Sequence, residues 1–229
     1  MFLPLPGPAP WPTGTPPFSS SRPSCRTAKK KTGYRGAWGE LDAVLGALPD
    51  RFVGFLSVPL GLGSQETAVV VVQEVVGRGL GGVGELAPPL GGAELVEPVL
   101  QAAADLGWLP VVVYGSAPST AEDLAMLAAL GRWYHGVPLV VSQLGGQHWM
   151  QALELVGDIP SMYLELSTAS IVFAVGVAIK GVPDRILFGS DAPYGDPVLA
   201  RVLVERVTSP GEVCDRVLGG AIAELVGLG

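Results

Sequence analysis

The chain has 229 residues, of which 48% are hydrophobic and 15% charged, with a formal net charge of −7. This length suits one sizeable barrel or doubly wound domain and is short for two, and the apolar bias fits strands buried on both faces. The longest apolar run, near residues 171–179, is too short to span a bilayer, and the acidic balance argues against nucleic acid as a partner.

Charge is uneven. Residues 1–39 hold six Lys/Arg and no acid, while the remainder sets eight Lys/Arg against all 21 Asp/Glu. Met1–Lys31 also contains eight prolines, which block both helix and strand periodicity. Three readings of this segment stand: a disordered tail over 1–33, a transit peptide, and residues upstream of the natural start. Residues 34–229 form the predicted folded domain.

From Tyr34 the pattern alternates. Ala37–Leu48 reads as a helix, with Trp38, Leu41, Leu45 and Leu48 at helical spacing. Phe52–Val58 is a strand, Gln65–Val76 a valine-rich helix, and Gly82–Leu86 a short strand ended by two prolines. Glu94–Leu106 is a helix and Pro110–Tyr114 a strand of three consecutive valines. Ser119 opens the next helix, and Glu122 three residues later has the spacing of a capping box. Strand Leu139–Gln143 precedes a helix over Gln147–Val156. Strand Met162–Leu166 precedes a helix around Ala169–Ile179. Strand Ile186–Gly189 precedes two helices near Pro197–Val207 and Gly211–Val226. Six strands, each followed by a helix, imply βαβ units and a parallel sheet, either a closed barrel or an open doubly wound sheet.

The most specific stretch is Arg185–Pro197, where a buried strand ends at Gly-Ser and presents Asp191 at the carboxyl end of the sheet, where α/β proteins gather their chemistry. With Leu48–Pro59, Pro110–Gly115, Leu139–Gly146, Met162–Ser167 and the closing helix Asp215–Leu228, it resembles the amidohydrolase superfamily. The likeness is to the amidohydrolase 2 branch of metal-dependent TIM-barrel hydrolases and decarboxylases. These segments resemble the family's third, fifth, sixth, seventh and eighth strands and its last helix. The resemblance implies an α/β, TIM-like barrel and a divalent metal, zinc or manganese, at its top. The family's ligands are a His-x-His pair on strand one, a His on strand five and an Asp on strand eight, with a further His on strand six. Such a set holds the ion while leaving a position open for water. In this chain Asp191 matches the strand-eight ligand. Tyr114 stands at the strand-five His, Gln143 at the strand-six His, and no His-x-His exists. Strands one and two are missing, so the barrel is expected to be incomplete. Either the proline-rich tail hides strands that its sequence does not reveal, or a second copy of the chain covers the open edge as a homo-oligomer.

Several residues thus become candidates. Asp191 is a metal ligand or base, or else a cap for the following helix. Glu85 ends the strand Gly82–Leu86 near the same rim and is a second carboxylate ligand, or else a structural partner. His148, in the loop after the sixth family strand, is a substitute acid/base. Tyr114 and Gln143 can hydrogen-bond a substrate. His135 lies at the opposite end and reads as structural. Glu165 shares a face with Ser167 by alternation. The paired glycines fit no phosphate loop, and there is no G-x-S-x-G elbow. Cys25 and Cys214, the only cysteines, form no disulfide framework, which points to the cytoplasm. Two functions follow. One is a metal-dependent hydrolase or decarboxylase acting on a small organic substrate with a depleted metal site. The alternative is a catalytically degenerate homologue acting as a binding or partner subunit.

Overall fold

A computed structural model describes residues 2–4, 38–48, 51–58, 60, 65–116 and 119–228. Most of the proline-rich tail lies outside the described residues. Its described part, Phe2–Pro4, forms β1, antiparallel to β2 (Phe52–Leu56). A helix over 38–47, α1, precedes β2. Then α2 (Gln65–Gly77), β3 (Gly82–Leu86), α3 (Glu97–Leu106), β4 (Val111–Val113), α4 (Ala121–Trp133) and β5 (Leu139–Val141) follow in turn. The chain continues through α5 (Trp149–Asp158), β6 (Met162–Glu165), α6 (Val172–Gly181), β7 (Ile186–Leu187) and α7 (Pro197–Val207). It closes with α8 (Glu212–Asp215), a π-helical turn over Arg216–Gly220, and α9 (Ala221–Leu225).

Strands β2 to β7 are parallel and sit side by side in sequence order. Each is short and mostly buried, and β4, β5 and β7 consist wholly of valine, leucine or isoleucine, as strands covered on both faces require. The two faces are separable by alternation. Leu56, Val83, Val111, Val113, Leu139, Val141, Leu164 and Ile186 face outward into the main core, under the helices. Phe55, Val112, Val140 and Leu187 face inward and form a second cluster with Ala221 and Ile222 of α9. Residues from β2 and β7 therefore meet around one side chain of the C-terminal helix, which requires the sheet to curl. The result is an incomplete TIM-like barrel whose inner face α9 plugs. Gly81 permits this closure: a Cβ there would strike Val53 and reach within 3.2 Å of Val226 Cγ1.

Helix boundaries follow local chemistry. Asp196 caps α7, accepting from the amides of Val198 (2.7 Å) and Leu199 (3.3 Å), and Pro197 occupies the position where its missing N–H costs nothing. The cap of α4 differs from the Ser119/Glu122 expectation. The capping box is one residue later, with Thr120 Oγ1 accepting from the Asp123 amide (3.0 Å) while Asp123 accepts from the Thr120 amide (3.0 Å). The reason is that Asp123 does more than cap. It also accepts from Gly91 N (3.1 Å) and Ala93 N (3.2 Å), so it ties the loop after β3 to α4. Burial raises its pKa, but the hydrogen bonds from Thr120, Gly91 and Ala93 outweigh burial and hold it below the usual value. The regular ladders of β5 and β7 also end earlier than the apolar runs suggest, because the chain turns into left-handed conformations at Gln143 and Asp191. Among the described residues, no helix is long and apolar enough to cross a membrane.

Two outcomes are expected from this packing. Asp123→Ala, which strands three backbone amides, should lower stability by about 2 kcal/mol in urea titration. Ile222→Ala, which opens the inner face, should cost about 2 kcal/mol or more in the same measurement.

Candidate functional site

The inner face changes character along the strands. Below lie Phe55, Val112, Val140 and Leu187. One alternation step further toward the carboxyl ends, the same face carries Ser142 after β5 and Glu165 at the end of β6. Glu165 is 1% exposed and lines a small cavity with Phe55, Val112, Val140, Leu187 and Ile222. Alternation and cavity agree that its carboxyl faces the barrel interior.

Glu165 is held at both oxygens. Oε1 accepts from Ser167 N (2.9 Å), and Oε2 accepts from Ser167 Oγ (2.6 Å) and Gln143 N (3.2 Å). A Cβ at Gly189 would collide with Oε1, so β7 can close over the carboxyl only because residue 189 has no side chain. One group thus connects the ends of β5, β6 and β7. Desolvation dominates its ionisation and pushes its pKa up to about 7, against the lowering effect of the Ser167 and Gln143 hydrogen bonds. The nearby charge of Glu85 adds to the rise. Glu85, from β3, accepts at Oε1 from Ser142 Oγ (2.6 Å), while its carbonyl accepts from Ser57 Oγ (2.9 Å). The carboxyl ends of β2, β3, β5 and β6 are therefore joined by a polar layer of Ser57, Glu85, Ser142, Glu165 and Ser167.

The sequence candidates distribute as follows. Glu85 and Gln143 enter this layer, Gln143 through its backbone amide. Asp191 lies four residues beyond β7, half-buried, with φ 52°, and its carbonyl accepts from Tyr194 N (2.8 Å) and Gly195 N (3.0 Å). Tyr114 follows β4 and lines a shallow recess with Pro88, Ser116, Ser119 and Asp123. His148 ends the left-handed segment after β5 and stands half-buried at the N-cap of α5, its side chain making no capping bond there. Reasoning from motifs underweighted Glu165, Ser142 and Ser167. The available signal was the alternation that puts Glu165 and Ser167 on one face at the end of a buried strand.

Three loops at this rim carry left-handed, non-glycine residues: Gln143 (φ 56°) with Leu144 (φ 54°), Thr168 (φ 56°) and Asp191 (φ 52°). Such residues cost on the order of 1–3 kcal/mol each and gather where surrounding structure fixes them for a purpose.

Among the described residues, no three His, Cys, Asp or Glu side chains converge to hold a metal ion. Zinc takes four nitrogen, sulfur or oxygen ligands, three from protein in catalytic sites. Asp191 and Glu85 belong to no such group, and Glu165 is occupied by three hydrogen bonds with its pKa pushed up to about 7. The described donor set does not fit a tightly held zinc or manganese ion.

Comparison with known proteins agrees with this architecture. No curated protein sequence matches. Solved structures do. The 2,6-dihydroxybenzoate decarboxylase from Rhizobium superposes with a TM-score of 0.67 at 17% identity, covering 90% of this chain and 80% of that one. Dihydroxybenzoic acid decarboxylase from Polaromonas sp. JS666, with bound manganese and the inhibitor 2-nitroresorcinol, gives 0.65 at 17% identity over 89% and 76%. The 5-carboxyvanillate decarboxylase from Sphingomonas paucimobilis gives 0.63 at 16% over 90% and 75%. At these identities the likeness is one of fold. The amidohydrolase family model matches residues 26–228, nearly the whole chain, and with the parallel half-barrel and its polar rim this places the protein in the amidohydrolase family.

Proposed function

We propose that the chain is a hydrolase- or decarboxylase-type enzyme acting on a small organic acid at the carboxyl ends of its strands, with Glu165 as the proton-holding group. The observation that carries this reading is a buried carboxyl with its pKa pushed up to about 7 beside a second carboxylate, Glu85. A general acid works best when its pKa lies near the working pH. Ser167 and the Gln143 amide fix the position of the Glu165 carboxyl, and Ser142 fixes Glu85. In this scheme Tyr114 and Gln143 hydrogen-bond the substrate, and Asp191 and His148 act from the β7 and β5 loops on its polar groups.

The fold neighbours suggest the substrate class, a carboxylated phenol. In such a decarboxylation the bond from ring carbon to carboxylate breaks, carbon dioxide leaves, and the electron pair left on the ring takes a proton. A carboxyl that keeps its proton up to neutral pH is suited to supply it. A second reading, a homologue that binds without turnover, is favoured by Tyr114 and Gln143 standing where the family resemblance calls for histidines.

Incubation of the full chain with 2,6-dihydroxybenzoate separates the two. Formation of resorcinol, falling at least about 100-fold in Glu165→Gln, is the expected result. Binding by calorimetry with no product establishes the second reading, and neither binding nor product sinks both.

Elemental analysis of protein purified without chelator should find zinc and manganese well below one per chain. Stoichiometric metal, lost in Asp191→Asn and in Glu85→Gln, would instead make these two carboxylates ligands.

Glu165 also imposes a pH dependence on stability. Its pKa is 4.5 when unperturbed and about 7 in the fold, so the folded state binds the proton more tightly. That contribution is complete below the lower value and is lost as pH rises through the higher one. Melting temperature should therefore fall between about pH 5 and pH 8, and Glu165→Gln should flatten the profile.

A further inference from the structure

The loops at the carboxyl ends of the strands share a property of charge. Between the end of each parallel strand and the start of the next helix, over residues 57–64, 87–96, 114–120, 142–148, 166–171 and 188–196, there is no Lys or Arg. All eight Lys/Arg beyond residue 39 lie elsewhere in the chain. The polar layer beneath these loops carries two carboxyls, and neighbouring residues of one loop hold them. Ser142 Oγ donates to Glu85 (2.6 Å), and Gln143 N donates to Glu165 (3.2 Å). Around Glu165, β6 and its loop supply the Ser167 donors, while β2, β4, β7 and α9 supply apolar side chains to the cavity it lines. The charge that acts on it comes from Glu85 of β3. Asp191 adds a third acid after β7, and His148 is the one side chain in these six stretches able to become a cation.

We propose that a small organic acid enters this site together with a proton from solvent, which Glu165 takes up and holds while the ligand is bound. The inference rests on the reading of the rim as a site for such acids, and adds how the site meets their charge. An anionic ligand above the polar layer faces the Glu85 carboxylate and, when it is ionised, that of Glu165. No Lys or Arg in the surrounding loops neutralises the three charges. Like charges in one site drive a proton onto the group whose ionised form is least well solvated. Glu165 is that group. It is 1% exposed, and burial has already brought its pKa to about 7. A ligand carboxylate pushes that value higher, so binding draws in a proton. Linkage makes the effect reciprocal: a protonated Glu165 binds the anion more tightly by the same factor. In a decarboxylation, the proton that the ring carbon takes is then loaded in the same step as the substrate.

Calorimetry of the full chain with benzoate tests this. Benzoate carries the carboxylate but lacks the ring hydroxyls that activate 2,6-dihydroxybenzoate towards loss of carbon dioxide, so binding is read without turnover. Titrations in two buffers of different ionisation enthalpy count the protons taken up. Little uptake is expected at pH 6, where Glu165 already holds its proton, and about half a proton or more per ligand at pH 7.5. Affinity should fall about 5-fold or more from pH 6 to pH 8. In Glu165→Gln, neutral at every pH, the uptake should vanish and the affinity stay level. Glu85→Gln, which removes a standing negative charge, should tighten benzoate binding about 5-fold, whereas loss of a merely structural residue weakens it. For 2,6-dihydroxybenzoate the KM should rise over the same pH range. Binding without uptake, uptake that persists in Glu165→Gln, or a level KM overturns this inference and leaves the reading of the site intact. Failure of the wild-type chain to bind either acid overturns both.

Discussion

A parallel sheet that stops short of closing has two apolar faces to cover, and everything else in this molecule depends on how the inner one is covered. The outer face is served in the usual way by helices, from Leu41 of α1 to Val204 of α7 and Cys214 of α8. The inner face receives α9, whose Ile222 meets Phe55, Val112, Val140 and Leu187. Side-chain layers from facing strands would do this in a full barrel. Here one amphipathic helix substitutes for them. The π turn over Arg216–Gly220 lies between α8 and α9, and Arg216 in that turn is tied to Asp184 (2.6 Å) and Glu224 (3.0 Å). These ties help set the direction from which α9 enters.

Filling the lower part of the interior leaves the strand ends as the place for polar groups. There the competition is between desolvation and hydrogen bonding. For Asp123 the bonds win, and the carboxyl keeps its charge as a tie between a loop and a helix. For Glu165 burial wins in spite of three bonds, and the carboxyl holds its proton up to near neutral pH. Two acids in one fold are driven in opposite directions by the balance of the same two forces.

Much of this was legible in the sequence. Short apolar runs bounded by glycine or proline mark all six parallel strands, since burial on both faces leaves little room for other residue types. The Gly-Ser-Asp191 segment identified the last of them. The capping residue of α4 was harder to place, because Ser119 and Thr120 both satisfy the local pattern. Asp123 decides between them through long-range bonds to Gly91 and Ala93 that no local pattern contains. Glu165 was harder still. A glutamate at a strand end has two faces available, and only the tertiary contact with Gly189 and the Gln143 amide shows that it is enclosed.

The left-handed residues at the rim bear on how this surface can change over evolutionary time. At φ near 55° an aspartate or asparagine is tolerated, because its short polar side chain bonds locally, whereas alanine or a branched residue pays for the conformation itself. Under the proposed function Asp191 answers to two separate constraints, one on its carboxylate and one on its backbone, and only the second is a matter of geometry alone. Loss of the first would leave the second in force, so a lineage that abandoned that role would drift toward asparagine or glycine before any other residue. The identity of residue 191 among relatives then becomes a record of whether the carboxylate is still in use.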